Sequence, residues 1–492
     1  MARLVIVSNR VALPTERNAR AGGLAIAMGE ALNPGGGVWF GWSGEIADQP
    51  SSAPRSVDAG NVTYVTVDLT RKDYADYYVG YSNGALWPLL HYRLGLVTYS
   101  RAAFDGYMRV NAYFARMLKT ILEPGDVIWV HDYHLIPLAA ELRKLGVTDR
   151  IGFFLHTPFP ARQLIETLPR HGVLLQALAA YDLVGFQTDE SARAFLDSVA
   201  EIAHGRLLDG GEFMIGERRV RVAAFPIGID TERFARVAER AVRGRDGQRL
   251  LQSMGSRALI IGVDRLDYSK GIANRFEAID SLMADHPEHR GQFSYLQITP
   301  VSRGEVAQYR ALRRELEAAS GAINGKFAEY DWTPLRYLNQ SFSRNVLAGF
   351  YRIARIGLVT PLRDGMNLVA KEYVAAQDPV DPGVLVLSRF AGAAQELKAA
   401  LQVNPYEVDD IAAALHRALR MPLDERRVRW RHMMEVVKRN TAATWQASFL
   451  TALGNTEGTV RPERVAVPVR RVEGYQAAPF GAAASRPAVR FN

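Results

Sequence analysis

The sequence predicts an α/β protein of two doubly wound, Rossmann-like domains facing each other across a cleft. Three observations predict it. Short apolar runs alternate with helical segments, the mark of βαβ units and parallel sheets. That alternation stops near residues 225 to 250, where the chain turns polar and charged, and then restarts. At 492 residues the chain is also too long for one core.

The elements follow in order. "RLVIVSNR" reads as a strand and "GGLAIAMGEAL" as a helix. "DVIWVHD" is a strand followed by a helical "LIPLAAELRKL". "RIGFFLHTPFP" is a strand running into a loop, and "LVGFQT" is a strand with "DESARAFLDSVAEI" helical after it. "FPIGIDTERF" is a turn-rich exit. The alternation resumes with "ALIIGVDRL", "FSYLQITPV", "RIGLVTPL" and "GVLVLSRFAG". The expected division is a domain over 1–240, a second over 241–440, a helix over 441–456 packing back on the first, and a disordered Pro/Ala/Arg-rich tail over 457–492.

Composition narrows the function classes. Hydrophobic residues make up 48% and charged residues 23%, as in ordinary globular proteins. The absence of cysteine excludes disulfides and thiolate metal sites. "MARLVIVSNRV" reads as a first strand, not a signal peptide, and no apolar run approaches the length of a membrane span. A cytoplasmic protein without a membrane partner is expected. The net charge is +8, but residues 458–492 hold six Arg against two Glu. The body is thus only mildly basic and does not demand a nucleic-acid partner; phosphorylated small molecules explain clustered Arg equally well.

Ligands of doubly wound sheets bind outside the carboxyl ends of the strands, so polar residues at strand ends are the candidates. Arg10 ends the first strand, and Gly22 and Gly23 open the next helix. Alone, these read best as a surface Arg and a loop glycine pair. Neither a GxGxxG fingerprint nor a GxxxxGK[ST] loop is present. "WVHDYHL" and "FFLHTPFP" deliver His131, Asp132, His134 and His156 to strand ends. Their spacing matches no standard zinc pattern, and for each histidine a satisfied core position outweighs a metal ligand. The aromatic stretch 76–93 suits core and sugar platform about equally.

The strongest signal is "GVDRLDYSKGI" (262–272), where a buried strand ends by presenting Arg265 and Lys270. "TPLRDGMNLVAKEYVAA" (360–376) repeats the theme: a strand ends, Arg363, Asp364 and Gly365 turn, and a helix starts near Met366 or Asn367. The first backbone N–H groups of that helix offer an anion site. Glu372, four residues after Leu368 on the same face, sits where a ribose diol would lie beneath a diphosphate.

Together "VSNRV", "AGGLA", "WPLLHYR", "WVHDYHL", "FFLHTPFP", "FPIGID", "GVDRLDYSKGI", "TPLRDGMNLVAKEYVA" and "LVLSRFAGAAQEL" resemble the motifs of the trehalose-6-phosphate synthases, in the same order and over roughly residues 1 to 455. These are retaining glycosyltransferases of the GT-B arrangement that move glucose from UDP-glucose to glucose-6-phosphate. The resemblance implies that Arg265 and Lys270 hold the donor diphosphate, with Asp364 and His156 on the donor glucose hydroxyls. It implies donor contacts from Gly22, Gly23, Phe342, Asn367 and the backbone of Leu368 and Val369, and a ribose contact from Glu372. It places Arg10, Tyr78, Trp87, Asp132 and Arg303 on the acceptor. It implies no metal or other cofactor, and front-face transfer without a covalent glycosyl-enzyme. Free trehalose is expected to need a separate phosphatase, and a homo-oligomer stays open. Weighed against this are a related synthase with another phosphorylated acceptor (glucosylglycerol-phosphate synthase) or a GDP- or ADP-glucose donor, a non-catalytic sugar-phosphate sensor, and a nucleic-acid binder acting through the tail. The presence of Arg265, Lys270, Asp364 and Glu372 argues against the sensor.

Overall fold

Two sheets organise the chain. The first has ten strands: β1 (Leu4–Arg10), β2 (Gly37–Ala47), β3 (Arg55–Ala59), β4 (Val62–Thr70), β5 (Val127–His131), β6 (Arg150–Phe154), β7 (Leu183–Phe186), β8 (Arg206–Leu208), β9 (Glu212–Ile215) and β10 (Arg218–Ala224). Their spatial order is β3-β4-β2-β1-β5-β6-β7-β10-β9-β8. The pairs β4–β3, β10–β9 and β9–β8 are antiparallel, and the remaining neighbours are parallel. The second sheet holds β11 (Ala258–Val263), β12 (Phe293–Ile298), β13 (Leu335–Leu338), β14 (Ile356–Val359), β15 (Val384–Ser388) and β16 (Leu401–Val403). Its order is β13-β12-β11-β14-β15-β16, all parallel. That is the doubly wound order 3-2-1-4-5-6. The computed structural model describes residues 2–14, 28, 32, 36–300 and 307–454. Of the helix expected at 22–32 only Met28 and Leu32 are described, both helical and buried; Gly22, Gly23, Arg303 and the tail 457–492 lie outside the described residues.

Helices of eight residues or more among the described residues are α1 (Arg101–Lys119), α2 (His171–Leu178), α3 (Asp189–Ile202), α4 (Thr231–Ala241), α5 (Arg245–Met254), α6 (Ile272–Asp285), α7 (Ala307–Phe327), α8 (Arg344–Ile353), α9 (Leu368–Ala376), α10 (Val408–Arg420), α11 (Leu423–Arg439) and α12 (Ala442–Leu453). Their starts follow from local chemistry. The Thr188 side chain accepts from Ser191 N at the head of α3, and Asp189 and Glu190 favour its positive end. Thr441 and Thr444 cap α12 reciprocally.

Residues Met1–Thr456 form one compact unit. One apolar cluster lies wholly within residues 5–222 and another within 260–421. A third joins the two sheets, running from Ile6 and Trp129 to Leu259, Met366 and Leu387. Helix α12 feeds that shared core: the Phe449 ring stacks on Trp129 at 4.6 Å and 15°. It lies against β6 and β7 so closely that a Cβ at Gly152 or Gly185 would strike the Phe449 ring at 2.7–2.8 Å. Among the described residues no helix is long and apolar enough to cross a membrane.

Candidate active site

In a doubly wound sheet the crevice opens where strand order reverses. In the second sheet that point lies between β11 and β14, so the loops after these two strands must face each other. They are 262–272 and 360–367, the two stretches singled out in the sequence.

The first loop is built on a buried charge. Arg275, fully buried on α6, sends Nη1 to Asp264 Oδ2 at 2.5 Å and Nη2 to the Lys270 carbonyl at 2.9 Å. Its Nε reaches Thr360 Oγ1 at 2.9 Å and so ties this loop to the end of β14. Burial raises the Asp264 carboxyl above its ordinary value, with Arg275 and Lys270 opposing. Asp267 accepts from Ser269 N (2.9 Å) and Tyr309 Oη (2.9 Å), which fixes the turn. Gly271 closes it at φ 65°, a conformation that suits glycine, with the Thr360 carbonyl where a Cβ would be. Thus braced, Arg265 stays exposed while Lys270 is turned inward.

Lys270 Nζ meets Asp364 Oδ2 at 2.5 Å, with only 11% and 16% of the two side chains exposed. Asn367 Nδ2 donates to the same oxygen at 3.1 Å. Burial pushes Asp364 up, but Lys270, His91 and Asn367 outweigh it, and the carboxyl ends below its ordinary value. It is therefore an ionised acceptor at neutral pH. Asn367 adopts φ 70°, and no side chain caps α9 behind it. Leu368 and Val369, both half-buried, form the first turn. Glu372, one turn on, accepts from Arg344 Nε at 3.0 Å. Phe342, two residues before Arg344, packs edge-on to Phe350 at 5.6 Å.

The first sheet supplies the opposite wall. Residues 74–86, which the sequence left outside the βα rhythm, form a π-helical segment (Tyr74–Leu86), a form that recurs at functional sites. Tyr77 and Tyr81 are core. Tyr78 is half-buried and stacks on His134 at 5.9 Å and 12°. The Trp42 ring lies 5.8 Å from Tyr78, and Trp42 is the strand partner of Arg10. Trp87 ends this segment and crosses to the second half: its Nε1 donates to Asp267 Oδ1 at 3.4 Å, and the Arg265 guanidinium lies over its ring at 5.7 Å. Asp132, at φ 75°, follows β5, and its N–H donates to the Phe154 carbonyl at 2.8 Å.

His156 follows β6 and touches the second half directly. Gly365 has no room for a Cβ because the His156 carbonyl lies there. The histidine tautomers follow from a chain of donors. Ile227 N donates to Gln187 Oε1 at 3.0 Å, so Gln187 presents its amide N–H to His156 Nδ1, at 3.4 Å. His156 then carries its proton on Nε2 and donates it to His131 Nδ1 at 3.1 Å. Burial lowers His156 to about 3 and His131 well below its ordinary value, so both rings are neutral.

The structure therefore joins Lys270, Asp364 and Asn367 in one contact group, Arg265 and Trp87 in another, and His156 with the 364–367 turn. Arg10 and Tyr78 meet through Trp42. Arg275, Arg344, Gln187 and His131 are members that sequence reasoning missed or left as core. Arg363, which the sequence placed in the turn without a site role, lies 3.7 Å over the Tyr92 ring and bridges the two halves.

Residues 2–455 match the model of glycosyltransferase family 20. The chain belongs to glycosyltransferase family 20. It is 50% identical to a trehalose-6-phosphate synthase of Cronobacter sakazakii over 453 residues, 92% of this chain and 95% of the relative. A solved UDP-forming α,α-trehalose-phosphate synthase of Burkholderia xenovorans, in complex with glucose-6-phosphate, is 49% identical with a TM-score of 0.89, covering 92% of this chain and all of that one. An E. coli structure bound with UDP-2-fluoro glucose is 47% identical with a TM-score of 0.87, over 92% of this chain and 99% of that one. As a family 20 member the chain is a glycosyltransferase, and the family match ends where the Arg-rich tail begins.

Proposed function

We propose that this chain transfers glucose from UDP-glucose to glucose-6-phosphate with retention, releasing UDP and forming α,α-1,1-linked trehalose-6-phosphate. The observation that carries the reading is the pairing of Lys270 with Asp364 at the β11–β14 switch point, beside the uncapped start of α9.

A nucleoside diphosphate laid there meets Arg265, Lys270 and the first N–H groups of α9. These charges and dipoles are fixed before reaction, so they stabilise the leaving diphosphate without solvent reorganisation. No divalent ion is needed for that task. Glu372 accepts from the ribose hydroxyls and Phe342 lines the base. Asp364, an ionised acceptor, takes glucose hydroxyls, and His156 takes another at Nδ1, which makes a long contact to Gln187. Arg10, with Arg303 and Tyr78, grips the acceptor phosphate; Asp132 and Trp87 set the acceptor ring.

In the transfer, the bond from the donor anomeric carbon to the diphosphate oxygen breaks and its electron pair stays on the phosphate. The acceptor anomeric oxygen bonds the same face of that carbon. Its proton passes to the departing phosphate oxygen. Positioning and electrostatics supply the acceleration. The test is UDP release from UDP-glucose with and without glucose-6-phosphate, in EDTA, with the product's mass and linkage determined. Acceptor-dependent release with an α,α-1,1 disaccharide phosphate supports the reading. Release only with a GDP or ADP donor, or only with glycerol-3-phosphate, would replace it.

A further inference from the structure

Three histidines and a glutamate meet on the second half, away from the cleft. His286 follows the last residue of α6, Glu288 and His289 lie in the turn Pro287–His289, and His416 lies on α10. The rings of His286 and His416 stack at 3.8 Å and 22°. Glu288 Oε1 is 3.4 Å from His286 Nδ1 and 3.9 Å from His416 Nδ1. One donor atom each from His286, Glu288 and His416 lies within 4.8 Å of the others.

We infer that this cluster is a divalent transition-metal site of the Zn²⁺ type, with His286, Glu288 and His416 as protein ligands and water completing the shell. The donor atoms are close enough to share one ion once the stacked rings turn so that both Nδ1 lone pairs converge on it. Ligands about 2.0–2.1 Å from a tetrahedral ion lie about 3.3 Å from one another. Glu288 Oε1 is near that distance from His286 Nδ1, and its side chain, 54% exposed, is free to close the wider gap to His416 Nδ1. Imidazole with carboxylate selects Zn²⁺, Ni²⁺ or Cu²⁺ over Mg²⁺ or Ca²⁺. His286 and His416 are 35% and 24% exposed, so an ion can enter from solvent.

Two features limit affinity. Arg420, one turn along α10, repels a cation. His289 Nε2 sits 2.9 Å from His416 Nδ1, and that hydrogen bond must break when the nitrogen turns to an ion.

The site is separate from catalysis. Helix α6 has 14 residues, about 21 Å at 1.5 Å each. Lys270 precedes its first turn and His286 follows its last, so the cluster lies toward the opposite end of the strands from the cleft. An ion there would clasp the end of α6 to α10.

The test uses tag-free, chelator-treated full-length protein in equilibrium dialysis against Zn²⁺ near neutral pH, repeated with Co²⁺ and read by visible absorption. One equivalent is expected, with affinity in the micromolar range. His416→Ala and His286→Ala should each weaken binding about tenfold or more, while UDP release stays near wild type and so reports that the fold is intact. Binding should fall as pH drops through the ordinary histidine range, because protons compete for the same nitrogens. Absence of saturable binding up to about 100 μM, a concentration far above a micromolar site, would overturn the assignment. Unchanged stoichiometry and affinity in both variants would overturn it equally.

Discussion

Lys270→Met isolates the proposed diphosphate cation. Two unit charges 2.5 Å apart attract by about 7 kcal/mol at an effective dielectric of about 20. Desolvating both groups consumes most of that. Removing the lysine leaves Asp364 in a mostly buried place, where Asn367 Nδ2 still donates to it. Breaking a buried pair costs about 3–5 kcal/mol, and the slight exposure of both partners puts this one near the lower end. The catalytic loss is separate: one preorganised group aimed at developing charge is worth about 10²–10³ in kcat. Asp364 is held below its ordinary value because Lys270, with His91 and Asn367, outweighs burial. Without Lys270, burial dominates and the carboxyl rises. The acid limb of kcat/KM should therefore move to higher pH in the variant. The assay is steady-state UDP release over a pH series, beside urea unfolding of both proteins. Lys270→Arg should recover stability and the acid limb before it recovers kcat, since a guanidinium restores charge but not position. Near-normal kcat in Lys270→Met, or an acid limb that does not move, would refute the assigned role.

Arg265→Ala should lower kcat by about tenfold or more with little change in unfolding midpoint, because this side chain is exposed and lies over the Trp87 ring; wild-type turnover would remove it from the donor site. Lys371, fully buried on α9, donates to the Ile227 carbonyl at 2.7 Å and pairs with Glu396 at 2.6 Å. Lys371→Met removes the buried cation from both acceptors, leaving Glu396 with Asn440 alone as a side-chain donor among the described residues, and should cost about 3–5 kcal/mol in urea unfolding; a loss under about 1 kcal/mol, the scale of a surface pair, would mean the pair is dispensable. Burial lowers His91 to about 4 and His156 to about 3. Both are depressed, so the unfolded chain binds more protons below pH 6.5, and stability falls from there down to about pH 4 at about 1.4 kcal/mol per pH unit for each ring. His91→Gln should flatten that slope between about pH 6 and 4, measured by unfolding at fixed pH, and an unchanged slope would show that His91 does not titrate there.

What could be read from the sequence was local. The apolar runs at 4–10, 127–131, 258–263 and 356–359 are strands because each is a short buried run ended by turn residues. The helix expected near Met366 or Asn367 begins at Leu368 with Asn367 before it. The reading passed over β2, β3 and β4: β2 is buried along six consecutive residues and so lacks the alternation of a half-buried strand. The π-helical segment escaped because its turn matches neither a 3.6 nor a 2.0 period. Arg275 and Arg344 look like the solvated face of an amphipathic helix. Nothing in their spacing reveals that one is fully buried under Lys270 and the other is paired with Glu372.

Strand order explains why the two candidate stretches could be found separately but not joined. Lys270 and Asp364 are 94 residues apart, and no local pattern states that β14 lies beside β11. Once the order is 3-2-1-4-5-6, their meeting is required by topology. The first sheet repeats the device: its order reverses at β1 and β5, the strands whose ends carry Arg10 and Asp132. In the proposed function the donor lies at the switch point of the second sheet and the acceptor at that of the first. Trp87, which leaves the first half to reach Asp267 and Arg265, lies between them. Its replacement by Phe keeps the ring but deletes the hydrogen bond, so it should raise KM for glucose-6-phosphate more than KM for UDP-glucose. Equal changes in both constants would mean that Trp87 holds the fold and not the acceptor.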